Sequence, residues 1–441
     1  MERTINRLRR KFSRVGPLEL ILIVALAAVA RLFALFLLPN SPSSFGPDEG
    51  TYAYLAEWVE EGEPVTDFPA YGAGLYNSAR SLILPSVIFI RIGFEPLIAV
   101  RFTSLIYGVL SIYVFAKLVL YASKKLSITI YNLRKKLLLI VSFFAFLPSP
   151  FIWSILGLRE TASAFWIMMS AISLIRLKDS GTTSATNSKL TSWPYQASMA
   201  LISIILAFGA RQETALVFLV FFGSTLIFLA SGKRLLIASI CVMGFIGGHL
   251  FTMTPGAVVT GADVSGNEIS NSNSLSRALV QSPLREIIAL EYKRNGNTLN
   301  ANTALPLTQC HEDLGSILTR VQCNLKELPY RLVSVLFRPF VFLDTGSISN
   351  NLASLENLIW LALLGLFLFG SASVLKDRVL IHLTLPAIMY VISFASLLAL
   401  YEGNLGTAFR HKSTILWPIL YVIFLFILAK PSKRFSQGVK I

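Results

Sequence analysis

The chain has 441 residues, of which 54% are hydrophobic and only 14% are charged, and its mean hydropathy is +0.64. A soluble protein carries far more charge, so this composition predicts an integral membrane protein. The net charge of +15 comes from basic residues in short clusters between apolar runs, which excludes nucleic acid as a partner. Three cysteines without C-x-x-C spacing and four scattered histidines predict no zinc or iron–sulfur site.

The first apolar run extends from Pro17 to Leu38 after an arginine-rich N-terminus, and it is long enough to cross a bilayer. Because no small-residue cleavage site ends it, we predict a retained signal anchor with the N-terminus in the cytoplasm. Further apolar runs predict an all-α polytopic membrane protein with a bundle of about 10–12 transmembrane helices. They lie at 96–122, 137–157, 161–177, 194–210, 214–231, 235–254, 354–375, 379–400 and 414–430.

Two shorter apolar pieces, 81–94 and 331–343, are expected to lie in the interface or to enter and leave on one face. With about ten crossings, the basic clusters between the spans all fall on the N-terminal side, which predicts cytoplasmic termini in a bacterial cytoplasmic (inner) membrane. The chain 1–441 is then a single integral membrane domain. Its extracytoplasmic side carries a loop at 39–80, which we predict to be catalytic, and a long loop at 255–330.

The long loop divides into two parts. Residues 261–276 are rich in Asn, Ser and Gly, which is typical of a mobile loop without its own core. The second part has helical patterning and contains Cys310 and Cys323. In an oxidising compartment these cysteines would form a disulfide, and the alternative is two free thiols.

Two adjacent carboxylates, Asp48 and Glu49, follow the first span in a turn made by Gly46 and Pro47, and a helical pattern continues to Trp58. One interpretation is that they cap and charge the start of a surface helix, because anions favour a helix N-terminus. The other is that they do chemistry at the membrane surface, since a carboxylate can take a proton from an acceptor hydroxyl.

Cationic residues gather on the same predicted side. Arg159 and Arg211 lie at the tips of two helical hairpins of similar sequence, and a further turn contains Arg410, His411 and Lys412. Guanidinium forks match phosphate oxygens and stay charged, so these residues are candidate ligands of a phosphate. The alternatives are local pairing of each hairpin arginine with its acidic neighbour, and contact of the cations with membrane lipid headgroups.

Together, an acidic pair and external cations indicate glycosyl transfer from a lipid-linked phosphate, with the cations holding the phosphate leaving group. A divalent cation would also hold a phosphate, but no ligand cluster in the sequence demands one.

The stretch Pro47-Asp48-Glu49-x-x-Tyr52-x-x-x-Ala56 after a first span resembles the opening of the bacterial glycosyltransferase-39-like proteins of the GT-C superfamily. That group includes the aminoarabinose transferases and protein O-mannosyltransferases. The resemblance implies a GT-C-like helical bundle, a polyprenyl-phosphate sugar donor and inversion at the anomeric carbon. It also implies that Asp48, with Glu49 beside it, is the catalytic base, and Tyr52 of the same motif is a candidate substrate contact.

The sequence departs from that family where a Lys-Pro-Pro-Leu-like pattern is replaced by the stretch 71–76, so the acceptor stays open among a lipid-linked, a glycan and a protein hydroxyl.

Two other functions compete with this prediction. A polymerase or ligase that uses a polyprenyl-pyrophosphate-linked glycan would depend on the external arginines more than on Asp48. A transporter or flippase of lipid-linked sugar would need ionisable residues inside the spans, for which Arg31, Arg101 and His249 are the candidates.

Overall fold

The structure is a computed structural model that describes residues 17–42, 48–69, 72–126, 131–179, 192–230, 233–252, 317–339, 348–402 and 405–429. All regular secondary structure in these ranges is helical. The helices are α1 (Pro17–Leu37), α2 (Asp48–Glu60), α3 (Gly72–Asn77), α4 (Arg80–Arg91), α5 (Pro96–Lys125), α6 (Tyr131–Phe146), α7 (Pro148–Ile155), α8 (Arg159–Asp179), α9 (Trp193–Ala210), α10 (Gln212–Leu229), α11 (Arg234–Thr252), α12 (Ile317–Phe337), α13 (Ile348–Val374), α14 (Arg378–Tyr401), α15 (Leu405–Lys412) and α16 (Leu416–Ala429).

Eight helical segments of the described chain are long and apolar enough to cross a membrane, namely α1, α5, α9, α10, α11, α13, α14 and the continuous pair α15–α16. Helices α6 and α7 make a ninth if they are counted as one span with a 49° bend. The bend falls at Leu147, which is extended because Pro148 follows it and begins α7. These spans confirm the predicted all-α polytopic membrane protein.

Helix α8 covers the remaining predicted span, 161–177, although it is less apolar than the others. Its 21 residues give a length of about 31 Å, which matches the hydrocarbon core of a bilayer. Small and hydroxylated side chains such as Ala162, Ser163 and Ser170 are buried against neighbouring helices. A helix that is enclosed by protein does not need an apolar surface toward lipid, which explains its lower hydropathy.

The two shorter apolar pieces do not form candidate spans. The piece at 81–94 becomes α4, whose 12 residues extend about 18 Å and pack against α2 and α5. The piece at 331–343 contributes the last turns of α12.

Contacts at the two ends of the bundle fix the relative directions of the helices. At one end Glu19 pairs with Arg134, which joins the starts of α1 and α6, and Lys125 pairs with Asp179, which joins the ends of α5 and α8. This end carries the basic clusters. The end of α1 and the starts of α5 and α8 therefore lie at the opposite end, as the alternation of spans predicts.

The cysteine predictions are met only in part by the described chain. Cys323 lies in α12 and is disulfide-bonded, whereas Cys310 lies outside the described residues. Cys241 is a free, buried thiol in α11. Most of the predicted long loop, residues 255–316, also lies outside the described ranges.

Candidate active site

The candidate site is built from four segments that meet at the end of the bundle opposite the basic clusters. Asp48 and Glu49 begin α2, and Glu160 lies in the first turn of α8. Arg211 is the extended residue between α9 and α10. The fourth segment is α15, which carries Arg410 in its last turn.

Glu49 and Arg101 form a fully buried ion pair beneath this surface. Nε and Nη2 of Arg101 donate to the two carboxylate oxygens of Glu49 at 2.9 and 2.8 Å. The same guanidinium donates to the carbonyls of Pro39 and Ser41 at 2.7 and 2.9 Å, so it also anchors the start of the predicted loop at 39–80. The two bonds to Glu49 hold α2 against α5, and the two bonds to the carbonyls hold the chain that follows α1 against α5.

Gly157 completes the pocket around Glu49. Its backbone N–H donates to Oε2 of Glu49 at 3.4 Å. A Cβ at this position would lie 2.5 Å from a side-chain carbon of Val100 in α5, so only glycine allows the turn between α7 and α8 to approach this closely.

Asp48 is the accessible member of the acidic pair, since 47% of its side chain is exposed. Its carboxylate accepts a hydrogen bond of 2.7 Å from Nη1 of Arg410. As the first residue of α2 it also lies at the positive end of the helix dipole, where an anion is favoured. The cap interpretation and the catalytic interpretation both agree with this position.

Glu160 is the centre of the cationic group, although its side chain is only 2% exposed. Its Oε1 lies 3.2 Å from Nη1 of Arg211, 3.2 Å from Nε of Arg410 and 3.3 Å from Nε2 of His411. Burial alone would raise the pKa of this carboxyl, but the charge of Arg410, the hydrogen bond from His411 and the charge of Arg211 outweigh burial and hold the pKa well below its usual range. Glu160 is therefore an anion that gathers basic side chains from two other segments, the turn between α9 and α10 and helix α15.

His411 lies between two buried carboxylates. Its Nδ1 is 3.1 Å from Glu402, and its Nε2 is 2.5 Å from Nη1 of Arg211. The ring therefore joins α15 to the end of α14 and to the turn between α9 and α10.

Tyr52 is buried beside the same group. Burial raises the pKa of its phenol, and the charges of Arg159, Glu160, Asp48 and Arg410 all act on it. Tyr52 is therefore a buried phenol in the same charged environment as the candidate base.

Arg159 does not pair with Glu160, its neighbour in sequence. Its Nη1 donates instead to the carbonyl and the hydroxyl of Ser78 at 3.0 and 2.5 Å. The local pairing considered for this hairpin tip is therefore wrong for Arg159. For Arg211 it is a minor contact, because Glu213 lies at 3.9 Å, while Glu160 is closer.

Lys412 is not brought to this group. Its ammonium is fully buried and donates to the carbonyls of Leu336 and Arg338 and to Oδ1 of Asn357, at 3.1, 2.9 and 2.9 Å. All three N–H donors are used on protein acceptors, so Lys412 ties α15 to the end of α12 and to α13.

A metal site is not evident in the described chain. Among those residues no three His, Cys, Asp or Glu side chains are grouped so as to hold a metal ion.

Two residues of the site were not singled out from the sequence, Glu160 as a shared partner and Glu402, and Arg101 was considered only for transport. A charge inside a predicted span requires a partner, so the sequence did indicate that Arg101 is paired, but it did not identify Glu49 as that partner. The pairing of Glu160 with two other hairpin tips depends on tertiary packing and has no local signature.

Comparison with known proteins supports the fold. No protein-family model and no curated protein sequence matches the chain. Among solved structures, it is similar to the archaeal oligosaccharyltransferase AglB from Archaeoglobus fulgidus, solved in complex with an inhibitory peptide and a dolichol-phosphate. The TM-score is 0.50 at 14% sequence identity, and the match covers 92% of this chain and 50% of the other. The chain thus spans half the length of that protein, and the likeness agrees with the predicted all-α polytopic fold.

Proposed function

We propose that this chain is a membrane glycosyltransferase of the GT-C type. It transfers a sugar from a polyprenyl-phosphate donor to a hydroxyl of a lipid-linked, glycan or protein acceptor on the extracytoplasmic face, with inversion. The observation that carries the proposal is the pairing of the half-exposed Asp48 with Arg410 beside further cationic side chains. This group lies at the end opposite the basic clusters, in a fold similar to that of an oligosaccharyltransferase solved with a dolichol-phosphate.

Asp48 is the proposed general base. The acceptor oxygen attacks the anomeric carbon, its proton passes to the Asp48 carboxylate, and the bond between that carbon and the phosphate oxygen breaks. The electron pair leaves with the polyprenyl phosphate, whose growing negative charge is stabilised by the nearby guanidinium groups. Arg410 orients the carboxylate through its 2.7 Å hydrogen bond.

Glu49 and Glu160 are proposed as positioning residues. Both carboxylate oxygens of Glu49 are bound by Arg101, so Glu49 is not available to an acceptor in this arrangement. Glu160 holds Arg211 and Arg410 in place from below. Such fixed charges stabilise a transition state without reorganising as the reaction proceeds.

The residues considered for transport have local partners instead. Arg31 donates to the hydroxyl of Ser154 and to the carbonyl of Ala145 at 2.7 and 2.9 Å. Arg101 binds Glu49, and the ring of His249 packs on aromatic neighbours. No observation on these three residues favours a transporter.

The decisive experiment is an assay of the purified chain with a panel of polyprenyl-phosphate sugars. Asp48→Asn keeps the size of the side chain but cannot accept the proton, so transfer should fall by about 10²–10⁴-fold. Glu60→Gln is the matched control, because Glu60 ends the same helix and lies 3.8 Å from Arg91, a comparable ion pair far from the site. The control should transfer at the normal rate.

Near-normal transfer by Asp48→Asn would remove the catalytic role, since asparagine is as good a helix cap as aspartate. That result would favour the polymerase or ligase. Chelation with EDTA in the same assay tests the divalent cation left open by the sequence.

A further inference from the structure

The cationic side chains at this end of the bundle fall into two groups that differ in their partners. Arg410, Arg211 and Arg101 each contact at least one carboxylate within 3.2 Å. Arg159 and Arg80 have no ion pair with a carboxylate in the part of the chain that the structure describes, and they donate hydrogen bonds to neutral acceptors. Unlike the first three arginines, Arg80 and Arg159 therefore carry positive charge that no carboxylate of the described chain balances by direct contact. Lys412 also lacks a carboxylate partner in the described ranges, but all its donors are used on buried protein acceptors.

These two arginines are neighbours through one turn. Nη2 of Arg80 donates to the side chain of Asn77 at 3.0 Å, and Nη1 of Arg159 donates to the hydroxyl of the adjacent Ser78 at 2.5 Å. A further bond joins Nη1 of Arg80 to the carbonyl of Phe251 at the end of α11. Both guanidinium groups are thus fixed by the protein, and each keeps a buried Nε–H without a hydrogen-bond partner in the described chain.

Such an arrangement is incomplete without an anion. A guanidinium that is partly withdrawn from water and lacks a counter-ion is costly, and an unpaired buried N–H adds to that cost. An oxyanion with several acceptor oxygens would satisfy both guanidinium groups at once, which a single carbonyl cannot do. Tyr76 closes the group on one side, with its ring 4.6 Å from the guanidinium carbon of Arg80.

A chain of contacts relates Arg159 to the proposed base. Arg159 directly precedes Glu160 at the start of α8, Glu160 lies 3.2 Å from Arg410, and Arg410 lies 2.7 Å from Asp48. An anion held by Arg159 would therefore lie beside the group of side chains that positions the carboxylate of Asp48.

We propose that Arg80 and Arg159 form the binding site for the phosphate group of a lipid, while Arg410 holds Asp48. The assignment of that lipid as the sugar donor rests on the proposed function. The same phosphate chemistry is present in the headgroup of an ordinary anionic phospholipid, so the test must separate these two sources.

The experiment measures binding of a polyprenyl monophosphate, which carries no sugar, to the full chain in neutral-lipid nanodiscs. Arg80→Gln and Arg159→Gln should each raise the Kd by about 10-fold or more, because each removes charge-assisted hydrogen bonds to the phosphate. Arg91→Gln is the matched control, since Arg91 ends the same helix that Arg80 begins and 65% of its side chain is exposed. Its Kd should match that of the wild type.

Thermal unfolding of each variant is recorded in parallel. If a glutamine variant fails to fold, Arg80→Lys and Arg159→Lys replace it, because lysine keeps the charge and loses the fork. The lysine variants should raise the Kd for polyprenyl monophosphate, but by a smaller factor than the change of about 10-fold expected for the glutamine variants.

A second arm repeats the titration with phosphatidylglycerol in place of the polyprenyl phosphate. Loss of binding for the polyprenyl phosphate alone supports a donor subsite, and equal loss for both lipids supports a general headgroup site. An unchanged Kd in both Arg80→Gln and Arg159→Gln, with weakened binding in Arg410→Gln, would overturn the proposal and place the phosphate at Arg410.

The titration tests the phosphate site independently of the glycosyltransferase assignment, because it measures binding and not sugar transfer. If the variants lose phosphate binding as expected but no donor supports transfer, the site stands and the glycosyltransferase assignment falls.

Discussion

Arg101 binds both oxygens of Glu49 in a fully buried ion pair, whereas the adjacent Asp48 contacts Arg410 and keeps nearly half of its side chain exposed. Consecutive side chains of an α-helix point about 100° apart. The first turn of α2 therefore directs one carboxylate into the protein and the other toward the surface. Two residues that look equivalent in the sequence have different environments.

This difference predicts a separation of stability from activity. Glu49→Gln leaves Arg101 buried without its counter-ion, so unfolding free energy should fall by about 3–5 kcal/mol. Asp48→Asn should change stability little, because Arg410 keeps Glu160 as a partner. Thermal unfolding of the purified variants in one detergent measures both. Equal losses of Tm in the two variants would contradict the assignment.

The sequence predicted which residues lie at the same end of the bundle, but it did not predict which side chains pair with each other. The basic clusters placed Asp48, Arg211 and Arg410 at one end of the bundle, and the structure brings all three together. The partner of each side chain could not be predicted from the sequence, because it depends on which hairpin tips become neighbours in the folded protein. Lys412 is an example. It follows His411 directly in the chain, but successive side chains of a helix point in different directions, and Lys412 enters a separate polar pocket.

Lys412 gives the next prediction. Lys412→Met keeps the length of the side chain but leaves the carbonyls of Leu336 and Arg338 and the amide of Asn357 without their donor. We expect a loss of stability of about 1–3 kcal/mol, with no change in the Kd for polyprenyl monophosphate. A calorimetric scan and a lipid titration of the same preparation decide the matter. Weakened phosphate binding in a stable variant would restore Lys412 to the substrate site.

Glu160 predicts how stability depends on pH. Its pKa is lowered in the folded protein, chiefly because Arg410, His411 and Arg211 outweigh burial. A lowered pKa contributes stability that is fully present above the unfolded value of about 4.3 and is lost as the pH falls toward the folded value. The contribution of Glu160 to the Tm should therefore be constant from about pH 8 to 5 and be lost progressively below about pH 4.5.

Glu160→Gln provides the control for this effect. It should lower the Tm at neutral pH and reduce the further decline below about pH 4.5, because the linked carboxyl is gone. Glu60→Gln, which removes a partly exposed carboxylate at the far end of α2, should keep the wild-type decline. A variant curve parallel to that of the wild type would show that other carboxylates govern the acid transition.

The sidedness of the bundle is tested by cysteine labelling in intact cells. Glu61 is exposed just after α2, on the side of the candidate site, and Lys376 is exposed at the opposite end, between α13 and α14. We expect Glu61→Cys to react with a membrane-impermeant maleimide from outside, and Lys376→Cys to react only after permeabilisation. The reverse pattern would place the site in the cytoplasm and remove the extracytoplasmic donor from the proposal.

Arg410 has two candidate roles, binding of the donor phosphate and orientation of Asp48, and its positive charge fits both. From the sequence it is a candidate phosphate ligand, and loss of its fork would then raise the donor KM. In the structure its guanidinium spans Asp48 and Glu160 at 2.7 and 3.2 Å, so its proposed role is to orient the base. A lysine keeps the charge, but its single ammonium on a flexible stem does not reproduce the planar fork that spans the two carboxylates.

Arg410→Lys should therefore lower kcat and kcat/KM by a similar factor, about 10-fold or more, while the Kd for polyprenyl monophosphate stays unchanged. Arg159→Lys should show the opposite pattern, with weaker phosphate binding and a smaller effect on kcat. Steady-state kinetics at saturating acceptor, combined with the lipid titration, measure both variants on the same scale. A raised Kd in Arg410→Lys with kcat intact would return the phosphate to Arg410 and leave the orientation of Asp48 to its place at the start of α2.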